Sequence, residues 1–204
     1  MLFERRMGSN TVEEVVDKSN IRELIEFERY CRDQKLWNEM EKCFHPDSSV
    51  NISWFRGTGH EFIEASKKML SDAKHKINNT LVWLNKYRAV AEMMATIHIL
   101  GELDGFPVDL MSYSRLHFRV EKREDMWRIS SFDCIYEKDL LVPVYPNNKL
   151  VIQEEQFRKY RPSYASLSYM LAKEGYEIDV NLPGQDKPET IEKLYEVSTK
   201  WLEI

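Results

Sequence analysis

The chain has little of what marks several large classes of protein. Among its 204 residues are three cysteines, Cys31, Cys43 and Cys134, an odd number without C-x-x-C spacing. That pattern supports neither a disulfide framework nor a zinc ribbon, and it fits the reducing cytoplasm, which is the expected location. No apolar run reaches membrane-spanning length, and the opening MLFERRMGSN has charge but no signal-peptide-like apolar stretch, so no membrane partner is expected. There is no basic surplus either. A net charge of -5 leaves nothing to neutralise a phosphate backbone, and nucleic acid is not an expected partner. The sequence has no GxSxG elbow, P-loop, GxGxxG or HExxH pattern, so acyl transfer, nucleotide hydrolysis, nicotinamide chemistry and a zinc site lack support. Neither a metal nor a cofactor is expected.

What is present reads as one domain with an extension, divided as 1–149 and 150–204. Thr11-Val12-Glu13-Glu14 has capping-box spacing, and Ser19-Asn20 offers a second helix start. A helix is predicted from about Ile21 to Phe44, bent near Asp33. Its apolar stripe runs through Ile21, Leu24, Ile25 and Cys31, and Glu28 fills the i+7 slot of that stripe. A buried carboxylate must pair, bond, do chemistry or neutralise. Glu28 therefore either faces a pocket or reaches solvent along the helix edge. Val50 to Trp54 alternates as a strand, and Gly57-Thr58-Gly59 precedes a helix from about Glu61 to Ala73.

From Thr80 the period changes to two. Leu81–Leu84, Val90–Leu100, Val108–Val120 and Trp127–Tyr136 are candidate strands. Their connections, around Asn85-Lys86, Asp104-Gly105 and Arg123-Glu124-Asp125, are too short for crossover helices, which predicts an antiparallel meander. Helices grouped before a curled sheet define an α+β fold. In the extension, Pro162 opens a helical stretch that Gly175 closes, and Pro188 opens another running to Trp201. Its many Tyr, Phe and Trp residues call for docking on the main body or on a partner subunit.

These residues resemble the SnoaL-like branch of the nuclear-transport-factor-2-like (NTF2-like) superfamily. The resemblance rests on Cys31-Arg32-Asp33-Gln34-Lys35-Leu36-Trp37, Phe44-His45-Pro46-Asp47, Gly57, His75-Lys76-Ile77-Asn78-Asn79 and Trp127-Arg128-Ile129. It implies a cone, a curved antiparallel sheet wrapped around N-terminal helices with a deep apolar pocket, and it implies a homodimer. Within the superfamily the run around Asp33 is most similar to bile-acid 7α-dehydratases, and it is also similar to scytalone dehydratase and hexachlorocyclohexane dehydrochlorinase. That similarity makes His75 a general base and Asp33 the carboxylate that fixes its tautomer. Glu28 stands where those dehydratases have a tyrosine, and His98 falls near the place of a second acid, so both join the catalytic candidates. Tyr30, Trp54 and Asn79 are assigned to the substrate. The late arginine of the bile-acid enzymes has no counterpart; Asp133-Cys134-Ile135-Tyr136 occupies its segment. The chemistry implied is a cofactor-independent lyase or isomerase acting on a small, mostly apolar cyclic molecule. The competing reading is a non-catalytic ligand-binding or assembly module on the same fold.

Overall fold

The first helix, α1 (Val12–Gln34), opens with Thr11 and Glu14 in a reciprocal capping box, and it runs unbroken through Ser19 and Asn20. In this computed structural model residues 2–3, 9–103, 105–147 and 149–203 are described; Asp104, in one of the predicted connections, lies outside them. The helix does not continue to Phe44. Lys35 turns left-handed (φ 60°), and Lys35 N–H and Leu36 N–H bond back to the carbonyls of Arg32 and Cys31, the paired bonds of a Schellman ending. A short α2 (Trp37–Lys42) follows.

Then come β1 (Phe44–Ile52), β2 (Phe55–Gly57) and α3 (Gly59–Lys67). Thr58 and Glu61 form a second capping box. Gly59 is required by close approach, since a Cβ there would lie 2.6 Å from the Phe44 ring. Ala73, expected at the end of a helix, instead begins β3 (Ala73–Asn85), which carries His75. The strands β4 (Arg88–Leu103), β5 (Phe106–Arg123) and β6 (Met126–Pro143) complete the sheet. Glu124 and Asp125 both adopt positive φ in the last hairpin, the conformation that matches strand twist.

The sheet order is β2-β1-β6-β5-β4-β3. The meander β3 to β6 is antiparallel as predicted, but β1 pairs parallel to β6, so the curved sheet is mixed. The fold is the α+β cone that the resemblance implies, with a mixed sheet in place of an antiparallel one.

The extension holds α4 (Glu154–Phe157), a 3₁₀ turn at Pro162–Tyr164, α5 (Ala165–Lys173) and α6 (Pro188–Glu203). Tyr164, Leu167, Leu171 and Leu182 belong to the same hydrophobic cluster as Ile21, Phe62, Phe118 and Phe132, so this part of the extension completes the core. The helix α6 lies on the other face of the sheet. There it covers His117, which is fully buried and bonded to Glu92 and to Ser198 of α6. Arg115, His117 and Arg119 share this outer face, at two-residue spacing along β5, and α6 covers it.

Candidate active site

Two hydrogen bonds join Asp33, in the last turn of α1, to His75, near the start of β3. The Asp33 Oδ1 lies 2.7 Å from His75 Nδ1, and Oδ2 accepts the His75 backbone N–H at 2.7 Å. Lys74 Nζ donates to the Asp33 carbonyl at 2.6 Å, which ties the end of the helix to the strand. Both side chains are largely buried, His75 at 6% and Asp33 at 11% exposure. With Nδ1–H donated to the carboxylate, Nε2 is the unprotonated ring nitrogen, and it has no hydrogen-bond partner among the described residues.

The pair carries one charge, on the carboxylate. Burial alone would raise the Asp33 pKa, but the hydrogen bonds and charge of His75, with help from Arg29, bring it below the ordinary carboxylate value. Burial lowers His75 to about 4; the bond to Asp33 opposes this, while Arg29 and Arg32 reinforce it. At neutral pH the pair is a carboxylate and a neutral imidazole.

His75 borders two spaces. Inside the cone is a cavity of about 50 Å³, walled mainly by apolar side chains such as Ile52, Phe62, Ile97, Ile99, Leu116 and Phe132. Outside, between α1 and β3, runs an open groove of about 680 Å³ that also includes Asp33. Arg29 and His75 are common to both. Leu167 and Leu171 of α5 close part of the inner cavity, so the extension shapes the site directly.

The remaining sequence-predicted residues separate. Trp54 lines the cavity and contacts Phe62 and Tyr176 edge-on or at a tilt. Tyr30 is 56% exposed and lines only the groove. Asn79 is exposed beside a register shift in β3 and borders neither space. His98 sits between Ile97 and Ile99, both of which face the cavity; strand alternation therefore turns His98 to the outer face, away from His75. Glu28 is fully buried but does not line the cavity. Both its oxygens bond the Arg29 guanidinium, one at 2.5 Å to Nε, and that guanidinium sits 4.7 Å from the Phe132 ring centroid. Pairing, one of the ways the sequence left open for a buried carboxylate, is the one the structure shows. Glu28 meets neither pocket nor solvent, and its role is to neutralise a buried arginine.

Sequence reasoning missed Arg29, Arg32, Ser53 and Tyr136, all of which line the cavity. The arginines had a signal, since they stand one and four residues after Glu28 on the buried side of the helix. Tyr136 is buried, accepts the Ser53 N–H at 2.8 Å, and is kept protonated because burial pushes its pKa well up. Cys134 also faces the cavity, but burial raises its thiol to about 12, too high for a nucleophile at neutral pH. Among the described residues no three metal-ligating side chains converge.

The SnoaL-like domain family matches residues 13–133 of this chain, and the chain belongs to that family, within the NTF2-like superfamily. It is 30% identical over 202 residues to a PEP2-like protein of Fusarium vanettenii, an alignment covering 93% of this chain and 87% of the relative. Such coverage necessarily takes in most of the C-terminal extension.

Solved structures share the fold at low identity. A protein assigned as a scytalone dehydratase from Novosphingobium aromaticivorans has a TM-score of 0.53 at 16% identity, covering 69% of this chain and 97% of that one. A hexachlorocyclohexane dehydrochlorinase from Novosphingobium barchaimii has a TM-score of 0.55 at 10% identity, covering 71% and 100%. The family includes dehydratases and isomerases and binds small molecules. Among the described residues no helix is long and apolar enough to cross a membrane.

Proposed function

We propose that the protein is a cofactor-independent lyase of dehydratase type, or an isomerase, acting on a small cyclic molecule by acid–base chemistry. The observation that carries this reading is the Asp33–His75 pair, with its free Nε2 on a ring that borders a mostly apolar cavity. In the proposed step His75 Nε2 removes a proton from a carbon next to a carbonyl. The C–H electron pair becomes a double bond, and the proton held by the imidazolium either goes to a β-hydroxyl, which leaves as water, or returns at another carbon. Asp33 keeps the Nδ1 proton in place and stabilises the imidazolium that forms. Tyr136, held neutral, is the O–H donor on the same wall. Glu28 acts only through Arg29, and His98 and Asn79 have no part.

A binding module without turnover is the second reading. It is favoured by the low basicity of His75, at about 4, against an ideal catalytic value near the working pH. Proton exchange separates the two. Cyclic ketones and β-hydroxyketones incubated with the protein in D₂O should exchange their α-hydrogens, and the exchange should vanish in His75→Ala and Asp33→Asn while ligand binding stays within about tenfold. Exchange unaffected by these variants, or absent altogether, would leave the binding reading in possession.

The assembly we propose is a homodimer through the outer sheet face, where Leu81, Met94 and Leu100 are 48%, 42% and 70% exposed; sedimentation velocity reads this directly. A cytoplasmic site of action suits the three free, buried cysteines.

A further inference from the structure

Beside the His–Asp pair stands a cation with no counter-ion bonded to it. Arg32 is 6% exposed and lines the inner cavity, yet its one hydrogen bond among the described residues is a weak N–H···S contact of 3.1 Å to Met69 Sδ. The nearby carboxylates are already engaged. Both Glu28 oxygens bond Arg29, both Asp33 oxygens bond His75, and Asp72 pairs with Lys74 at 3.0 Å. A guanidinium carries five donors in a planar fork, and burying it with so few partners is costly unless something completes it. Ser53 Oγ, on the same cavity wall, is also buried, without a hydrogen bond of good geometry and with the Tyr136 hydroxyl beside it.

We infer that the cavity recognises a ligand carboxylate, gripped by the Arg32 fork with Ser53 O–H as a second donor. The substrate of the proposed reaction is then a cyclic acid, an apolar ring bearing a carboxylate. The cavity as it stands takes only the carboxylate end of such a ligand, because about 50 Å³ holds only a few water-sized groups, each needing about 10–15 Å³; the ring must displace apolar side chains of the wall to enter. Binding would also act on the base. Arg32 is one of the charges holding His75 low, and a carboxylate on Arg32 cancels that field, so His75 becomes more basic once the ligand is in place.

This inference rests on the acid–base reading for the word substrate, but its test needs no turnover. Benzoate and cyclohexanecarboxylate are titrated calorimetrically against their neutral counterparts, benzamide and cyclohexanecarboxamide, at pH 7. The acids should bind the unmodified protein about tenfold or more tighter than the amides. The preference should disappear in Arg32→Met and persist in His75→Gln. Equal binding of acid and amide, no binding of either acid, or a preference that survives in Arg32→Met overturns the assignment. Should Arg32→Met fail to fold, Arg32→Lys serves, since it keeps the charge but not the fork and should lose most of the preference; full retention there counts against the inference. If the acids bind as expected but no variant affects proton exchange, the ligand class stands and the catalytic reading falls.

Discussion

Asp33 holds His75 with both carboxylate oxygens, one on the ring and one on the backbone of the same residue. The contact fixes the tautomer and also pins β3 to the end of α1. An amide at position 33 has only one acceptor oxygen. In Asp33→Asn either the ring or the backbone N–H loses its acceptor, and the stabilisation of a developing imidazolium is lost in both cases. Turnover should fall about 10²–10⁴-fold in kcat, with KM changed by less than about tenfold. A loss carried entirely by KM would show that Asp33 serves binding and not the chemistry.

The pH dependence of stability follows from where His75 titrates. Burial takes it from 6.5 to about 4, so between those values the unfolded chain binds a proton that the folded chain does not. Its contribution is complete above about pH 6.5 and is lost as the pH falls to about 4, amounting to about 3 kcal/mol at 1.36 kcal/mol per unit. Asp139 works in the opposite sense, because burial raises it from 3.8 to about 6 and its contribution is lost as pH rises through that interval. The whole-protein curve sums these with the other shifted carboxylates, among them Asp33, Glu92 and Asp133. The stability difference between the unmodified protein and His75→Gln reads the histidine together with the Asp33 carboxylate it bonds, and in urea unfolding it should grow by about 2–3 kcal/mol from pH 4 to pH 6.5. Parallel curves would mean that His75 titrates as an ordinary histidine.

The Glu28–Arg29 pair yields a third expectation. Both side chains are essentially inaccessible, at 0% and 3%. Glu28→Leu strands a buried guanidinium and should cost about 3–5 kcal/mol, whereas Glu28→Leu combined with Arg29→Met removes both charges and should recover most of it. Urea midpoints of the two variants decide the matter. If the double variant is no better than the single one, the pair matters for packing against Phe62 and Phe132 and not for charge balance.

Much of this architecture was legible in the residues because it is local. The capping box at Thr11, the period-two runs and the short hairpin connections all report on neighbours in sequence, and the same spacing at Thr58 was there to be read. Apart from the local Schellman ending at Lys35 that stops the first helix short of Phe44, the errors fall where the answer depends on distant chain. Nothing in Phe44–Ile52 announces a parallel partnership with β6, and a histidine between Lys74 and Lys76 reads as a loop until β4 is laid beside it. Glu28 read correctly as a carboxylate on a buried stripe, but its partner is the adjacent Arg29, and adjacent residues on a helix do not normally face each other. The two long side chains must fold toward one another to meet. His98 was one residue out of phase, and on a strand one residue exchanges inside for outside. Arg32 carried a usable signal, a charge on the same stripe as Glu28, that becomes informative only once the cavity beneath it is known.

The last prediction concerns α6, whose place on the sheet no local pattern foretold. Its C-terminal carbonyls are capped from the β3–β4 hairpin, Leu202 by Asn85 Nδ2 at 2.7 Å and Trp201 by Arg88 Nη1 at 2.9 Å, and the Arg88 guanidinium lies 5.1 Å from the Trp201 ring centroid. A cation at a helix C-terminus meets unpaired carbonyls and the negative end of the dipole, worth about 0.3–1 kcal/mol, and the ring contact adds about 0.5–1 kcal/mol. Arg88→Ala should therefore loosen α6 by about 1–2 kcal/mol, read as about tenfold faster amide exchange along that helix. Exchange in α1 should not change, since α1 packs on the opposite face. Equal acceleration in both helices would show that Arg88 stabilises the sheet as a whole, and no acceleration would place the hold on α6 in the buried Ser198–His117 contact instead.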